Sequence, residues 1–296
     1  HNVYLSDNKT VHGGAYLKTR NAMQLKAFIK SRAIELNLTP QQMLHAYYME
    51  CFVNRLAHSD YVSNFVLKGG YLISNLIGFE SRTTMDMDAT IKNFPVEEDA
   101  LSKALGQICS IAVDDDFTFQ LSHLEPIREE DVYPGQRAYL NVSYGEIQGL
   151  LTIDITAGDS IVPGVEQMFF KRNFDQSLIR AYSYPIETVL AEKLETIVTR
   201  GAFNTRPRDY YDVHMLTKSV GFDVETLKRA LLATSKHRQT MDIVTQEYAQ
   251  RLDVISQSDN VRRLWEKYCK TFNYAKGIPF ETVVGSVRNL LNSVLA

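Results

Sequence analysis

The stretch "SRTTMDMDATI" (residues 81–91) places two aspartates on one face of a predicted strand. Successive side chains of an extended chain point to opposite faces, so Asp86, Asp88 and Thr90 share one face and the apolar residues share the other. Two neighbouring carboxylates can bind Mg²⁺, which is normally held by one or two carboxylates together with waters and substrate phosphates. The same spacing is also found on ordinary solvated strand faces, so the pair alone is a weak indication.

A third carboxylate lies in the predicted strand "LLTIDIT" (150–156). Ile153 and Ile155 share one face there, and Asp154 lies on the other face between two threonines. If this strand lies beside the first, three acids converge, and their mutual repulsion favours a bound cation. Two metal ions about 3.5–4 Å apart can stabilise the attacking and leaving oxygens of an in-line phosphoryl transfer.

A glycine pair is the next candidate element of a phosphate site. Gly69 and Gly70 follow the short predicted strand in "NFVLKGG" (64–70) and open a predicted helix. Glycines at this position let backbone N–H groups approach a triphosphate at a helix N-terminus. A simple turn is the alternative.

Lys193 falls inside the apolar stripe of a helix predicted over 186–200, whereas Glu192 and Glu195 fall on the opposite side. A lysine on a buried face needs a partner or a function. It is either a phosphate ligand facing the acidic strands, or a snorkelling or salt-bridged residue with a structural role.

The segment "NTRPRDYYDVHML" (204–216) adds two arginines and two aspartates. Asp209 and Asp212 are either first-turn acids that respond to the helix dipole, or groups that orient Lys193 or the arginines. Arg206 and Arg208 are the better anion binders of the segment, because guanidinium matches phosphate geometry.

The chain has 296 residues with 45% hydrophobic content, enough for a substantial core and one or two domains. No apolar run approaches the roughly 20 residues that a membrane span needs. The segment "HNVYLSDNKTVHGG" (1–14) lacks the apolar core of a signal peptide. The three cysteines are far apart and show no metal-ligand spacing. We therefore expect a cytoplasmic protein with reduced thiols and no membrane contact.

The charge is distributed unevenly along the chain. Residues 86–166 hold 16 acids and 4 bases, a balance of −12, and residues 171–238 hold 12 bases and 8 acids, a balance of +4. This asymmetry suits a cation site next to a phosphate-binding surface, although uneven surface composition explains it equally well.

The order of predicted elements indicates an α+β fold. Two helices are predicted over 21–58, a helix over "PVEEDALSKALGQICSI" (95–111), three strands between 117 and 157, and almost only helix after Tyr184–Pro185. We expect a mixed sheet flanked by helices in residues 1–184 and a helical C-terminal domain in residues 185–296.

Four blocks, "LKGGYLISNLIGFESRTTMDMD", "TIDITAGD", "PIETVLAEKLETIVTRG" and "RPRDYYDVHML", occur in this order between about residues 60 and 216. Their order and spacing resemble the AbiEii/AbiGii toxin family, nucleotidyltransferase-like toxins of bacterial toxin–antitoxin and abortive-infection systems in the DNA polymerase β superfamily. The sequence departs from the superfamily pattern where Tyr71, instead of serine, follows the glycine pair.

The resemblance implies a nucleotidyltransferase-like fold and a role for each matching position. Metal ligands are implied at Asp86, Asp88 and Asp154, with Lys193 and Asp209 completing the catalytic set. Nucleotide contacts are implied at Gly69, Gly70, Arg82, Lys193, Arg208 and Asp212.

The resulting hypothesis is a phage-defence toxin that uses Mg²⁺, or alternatively Mn²⁺, to transfer NMP from an NTP to the 3′ end of a tRNA or to another RNA. A cognate antitoxin encoded nearby is the expected partner. Three alternatives remain: nucleotidylation of a protein, a non-catalytic nucleotide- or RNA-binding toxin, and a metal phosphodiesterase, which would normally show histidine ligands.

Overall fold

The structure is a computed structural model that describes residues 19–127, 135–175 and 177–295. The polar segment 1–14 therefore lies outside the described residues. The helices are α1 Ala22–Glu35, α2 Pro40–Ala57, α3 Gly69–Ile77, α4 Glu98–Ser110, α5 Ile186–Arg200, α6 Pro207–Ser219, α7 Val224–His237, α8 Met241–Gln246, α9 Tyr248–Gln257, α10 Asp259–Thr271 and α11 Phe280–Leu295. The strands are β1 Phe65–Lys68, β2 Met87–Ile91, β3 Thr118–Pro126, β4 Gly135–Tyr144, β5 Ile147–Ala157, β6 Glu166–Lys171 and β7 Leu178–Ser183.

Within the described residues, seven strands form one mixed sheet in the order β3-β4-β5-β2-β1-β7-β6. The β1/β7 and β2/β5 pairs are parallel and the other neighbours are antiparallel. Asp88 lies opposite Lys68 of β1 and opposite Asp154 of β5. Arg137 of β4 lies opposite Asp154 on its other side. The register therefore sets four charged residues in one row across the sheet.

The predicted α+β class is confirmed, because every described strand precedes Pro185 and the described elements after it are helices and short 3₁₀ turns. Thr39 begins α2 with a capping box, in which the threonine side chain and Gln42 satisfy each other's backbone N–H groups. The sequence analysis did not identify β6 and β7. The division into two domains at residue 184 stays a prediction.

One face of the sheet is covered and the other is partly open. Helix α4 packs on β3, while α2 lies against β5 and β7. Side chains of β3, β4 and β5 alternate between buried and accessible, as expected for strands with one covered face. Asp154 and Arg137 lie on the accessible face.

Helix α5 is the centre of the helical part, with α6, α7, α8 and α9 packed around it. The side of α5 that carries Glu195 is packed as well as the apolar stripe, because α5 is enclosed on most sides. Glu187 and Glu195 are buried together with the apolar residues of the helix. In the described parts of the chain, no helix is long and apolar enough to cross a bilayer.

Candidate active site

The glycine pair makes room for a carboxylate. Gly69 begins α3 with φ +61, and a Cβ at this position would lie 1.9 Å from Oδ2 of Asp88. The Gly70 N–H donates to the same oxygen at 3.4 Å. A Cβ at Gly70 would lie 2.5 Å from Oγ1 of Thr84. Asp88 of β2 and Thr84, just before β2, therefore approach the N-terminus of α3 too closely for a side chain at either glycine. The glycine pair thus has a packing role beyond that of a turn.

The three predicted metal ligands lie at the same end of the sheet. Asp86 is exposed just before β2, and its Oδ1 accepts a hydrogen bond from Thr152 at 3.1 Å. Asp154 is 24% exposed and accepts two hydrogen bonds from Arg137, at 2.6 and 2.7 Å. Burial raises the pKa of Asp88, Lys68 opposes this rise, and the charge of Asp154 adds to it. The carboxylates of Asp88 and Asp154 thus repel each other across the β2/β5 pair.

These residues fit a divalent cation in their donor chemistry and in their register. Carboxylate oxygens are the ligands that Mg²⁺ prefers, and a cation would offset both the burial of Asp88 and its repulsion from Asp154. The side chains do not yet converge: among the described residues no group of three acidic, histidine or cysteine side chains is placed to hold a metal ion. Asp154 is instead turned toward Arg137.

Lys193 belongs to a network of buried ion pairs. Its Nζ lies 2.9 Å from Asp209 and 2.7 Å from Asp212. Arg82 pairs with Asp212 at 3.1 Å, and Arg206 pairs with Asp209 at 2.8 Å. Burial alone would raise the pKa of Asp212, but Arg82 and Lys193 outweigh it and the pKa is lowered. The two aspartates therefore orient Lys193 and Arg206, as one of the two interpretations of this segment predicted, and also Arg82, but they do not hold Arg208.

A cavity of about 450 Å³ joins these features. It lies between the ends of β1, β2 and β5 on one side and, on the other, α5, the residue before α6 and the C-terminal end of α7. Gly69, Asp88 and Lys193 line it, and so does Arg206. Arg208 lies elsewhere, with its guanidinium 5.0 Å from the ring centre of Phe272, the residue after α10. Of the two arginines in the segment 204–216, Arg206 therefore lines the cavity and Arg208 does not.

The sequence analysis missed two charged residues in the floor of the cavity, Lys68 and Asp159. Their ion pair spans 2.7 Å, and the hydroxyls of Thr156 and Tyr184 also donate to Asp159, at 3.0 and 2.7 Å. One signal was available for Lys68, because it directly precedes the glycine pair. Asp159 follows β5 in an irregular segment, where periodicity gives no indication of side-chain direction.

The far wall of the cavity carries a second set of charges. Arg238, at the end of α7, pairs with Glu195 at 2.7 Å and with Glu192 at 3.6 Å. The Thr240 hydroxyl donates to Glu195 at 3.0 Å. Burial raises the pKa of Glu192. The wall opposite the glycine pair is therefore polar and ion-paired.

The basic stretch 171–238 is only partly available to an external ligand. Arg172 is 1% exposed and pairs with Asp175 at 3.1 Å and with Glu50 at 3.8 Å. Arg172 therefore lies in the core, where it cannot meet an RNA phosphate. Lys171 and Arg180 are exposed on β6 and β7.

Comparison with known proteins gives one extensive match. Residues 51–286 match the model of a family described as nucleotidyl transferase AbiEii toxin of a type IV toxin–antitoxin system. No curated protein matches the chain. Among solved structures, a candidate nucleotidyltransferase from H. pylori is 17% identical, with 87% of this chain and 97% of that chain covered and a TM-score of 0.47. JHP933 from Helicobacter pylori is 18% identical, with 80% and 98% covered and a TM-score of 0.44.

Proposed function

The chain belongs to the AbiEii family of nucleotidyl transferase toxins from type IV toxin–antitoxin systems, and on that premise we propose that it transfers NMP from an NTP to the 3′ end of a tRNA. The released product is pyrophosphate, and the modified tRNA no longer supports translation. The acceptor hydroxyl attacks the α-phosphorus of the NTP while the bond to the pyrophosphate oxygen breaks. We further propose that this arrest acts in the cytoplasm as a defence against phage.

The observation that carries this proposal is the register of the sheet. It sets Asp88 beside Asp154 and brings Asp88 against the N-terminus of α3, at the edge of a cavity that Lys193 also lines. A nucleotidyl transfer needs a place for a triphosphate next to carboxylates that hold cations. Asp88 and Lys193 line the same cavity, and Asp154 lies beside Asp88 in the sheet without being among the lining residues.

The triphosphate would lie between the glycine pair and Lys193. The N-terminus of α3 offers backbone N–H groups and the positive end of the helix dipole. Lys193 is held toward the cavity by Asp209 and Asp212, and Arg206 adds a guanidinium that is half exposed. Three positive features thus face the volume in which the phosphates would bind.

Asp86, Asp88 and Asp154 would hold Mg²⁺, which when bound neutralises charge on the phosphates and favours displacement at the α-phosphorus. Asp154 would also accept the proton of the attacking hydroxyl, because its carboxylate is partly accessible, with 24% of the side chain exposed. Both roles require Arg137 to release or share Asp154.

The experiment that tests this proposal compares Asp86→Ala with Asp60→Ala. Both positions are exposed, so neither change should disturb the core, and Asp60 lies in the turn after α2, away from the site. Growth is followed after induction of each variant. Total RNA and a cell lysate are then incubated with purified protein, Mg²⁺ and each α-³²P-labelled NTP.

We expect wild type and Asp60→Ala to arrest growth and to label a tRNA-sized band that RNase removes. Asp86→Ala should do neither. Label that is removed by protease instead of RNase would point to the protein acceptor. Growth arrest that persists in Asp86→Ala would contradict catalysis and favour the non-catalytic toxin.

Membership of a type IV toxin–antitoxin system implies a cognate antitoxin. We propose that its gene lies next to that of the toxin. Expression of the neighbouring gene together with the toxin should restore growth, and the RNA-labelling assay then shows whether the antitoxin suppresses the transfer itself.

A further inference from the structure

The charged ammonium group of Lys68 lies at the floor of the cavity. Lys68 is the last residue of β1, and its side chain is 15% exposed. Its Nζ donates to Asp159 Oδ2 at 2.7 Å and to Thr156 Oγ1 at 2.8 Å. A lysine ammonium has three protons to donate. The third finds no acceptor within hydrogen-bonding distance among the residues that the structure describes.

Asp159 fixes this ammonium in place. Its Oδ2 accepts hydrogen bonds from Thr90, Thr156 and Tyr184 in addition to Lys68. Burial would raise the pKa of Asp159, but Lys68 and the hydroxyl donors outweigh it and the pKa is lowered. The carboxylate therefore stays ionised, and the lysine that it holds has little freedom to turn away.

The position of Lys68 is that of a phosphate ligand more than that of an isolated ion pair. It lies opposite Asp88 in the β1/β2 register and is the N-cap residue of α3, where an ammonium cannot cap the helix because it has no acceptor atom. Its side chain instead lines the cavity that Gly69 and Lys193 also line. A phosphate at the N-terminus of α3 would therefore meet the helix dipole and this ammonium together.

We infer that Lys68 binds a phosphate oxygen of the nucleotide through its third proton and that Asp159 is the positioning residue that aims it. This inference rests on the proposed function, because it assigns a further ligand to the same substrate. The cluster of Lys68, Asp159, Thr156 and Tyr184 would then orient a substrate ligand in addition to stabilising the fold.

The test measures binding of inorganic tripolyphosphate by calorimetry, in EDTA and in Mg²⁺, which isolates the phosphate chain from base recognition. The variants are Lys68→Met, Asp159→Asn and the double variant, which leaves no unpaired charge behind. Lys92→Met is the matched control, because it removes the same charge from an exposed position just beyond β2. Thermal melting of each variant confirms that it is folded.

Lys68→Met should weaken tripolyphosphate binding about tenfold or more, as expected for one charge-assisted hydrogen bond. Lys92→Met should change the affinity less than about twofold. Asp159→Asn should weaken binding on its own but add nothing to Lys68→Met, because it acts through the lysine.

Equal affinity in wild type and Lys68→Met would overturn the assignment of Lys68 and leave the proposed function standing. Additive losses in the double variant would overturn the positioning role of Asp159. A wild-type protein that binds neither tripolyphosphate nor any NTP would overturn the proposed function as well.

Discussion

At the scale of single residues, Lys193 shows how one side chain combines a structural and a functional position. It is 12% exposed and lies between Asp209 and Asp212, which are both buried, while it also lines the cavity. Burial lowers its pKa, but the two carboxylates outweigh this effect and the pKa is raised. The ammonium is thus charged in the absence of any ligand.

Lys193→Ala should therefore cost stability as well as activity. Removing one partner of a buried ion pair leaves an uncompensated charge, and we expect the free energy of unfolding to fall by about 3 kcal/mol. Urea denaturation measures this, with Lys218→Ala as the control because Lys218 is exposed on α6. The control should change stability by less than about 0.5 kcal/mol. Equal stability of the two variants would show that the network contributes little to the fold.

At the scale of secondary-structure elements, Arg137 on β4 competes with a metal ion for the carboxylate of Asp154 on β5. Arg137 holds Asp154 with two hydrogen bonds, and its own side chain is 46% exposed. A cation that binds Asp154 must displace or share this arginine. The β4/β5 pair thus sets the availability of the third carboxylate.

Arg137→Ala should accordingly strengthen divalent-cation binding. An exposed ion pair of this kind contributes up to about 1 kcal/mol. If Mn²⁺ no longer has to break it, the affinity for Mn²⁺ should rise by up to about fivefold. Calorimetric titration with Mn²⁺ checks this. Arg180→Ala is the control, because it removes an arginine from an exposed strand position on β7. Unchanged or weaker Mn²⁺ binding in Arg137→Ala would argue against Asp154 as a ligand.

The elements also show what local sequence signals can predict. Alternation of apolar and polar residues predicted β3, β4 and β5. Local signals did not reveal β6 and β7. The parallel pairing of Leu67 with Ser183 joins segments far apart in the chain. The burial of Glu195 has the same origin, because helices that follow α5 in the sequence enclose it.

The same limit applies to the candidate site. The neighbouring positions of Asp88 and Asp154 could be proposed from strand parity, since each has a fixed face. The partner of each charge could not, because Arg137 lies opposite Asp154, and Lys68 opposite Asp88, only through the order of the strands. The sequence pattern predicts which face of a strand a side chain occupies, but it does not predict which strand lies next to it.

At the scale of the whole molecule, the core beneath the sheet contains buried charge. Glu50 of α2 is 1% exposed, and its Oε1 accepts a hydrogen bond from the backbone N–H of Asn173 at 2.7 Å. Burial raises the pKa of Glu50 from 4.5 to about 7, although Asn173 and Arg172 oppose the rise. The folded protein therefore binds a proton at Glu50 that the unfolded chain releases at lower pH.

This shift predicts a pH dependence of stability. Because the folded state holds the proton more tightly, the free energy of unfolding contributed by Glu50 is fully present below pH about 4.5 and is lost as the pH rises to about 7. At about 1.36 kcal/mol per pKa unit the total is on the order of 3 kcal/mol. Glu50→Gln should remove this slope in urea unfolding at pH 5 to 8, whereas Glu225→Gln, on the exposed face of α7, should keep it. Parallel pH profiles for wild type and Glu50→Gln would contradict the assignment.

The central claim is that the carboxylates beside the glycine pair hold the cations of a nucleotidyl transfer. The most direct measurement is anomalous diffraction from crystals soaked with Mn²⁺ and a non-hydrolysable NTP. We predict a Mn²⁺ peak about 2 Å from carboxylate oxygens of Asp88 and Asp154, with the triphosphate between Gly69–Gly70 and Lys193. A nucleotide bound elsewhere, or Asp154 still held by Arg137 with no Mn²⁺ beside it, would contradict the claim.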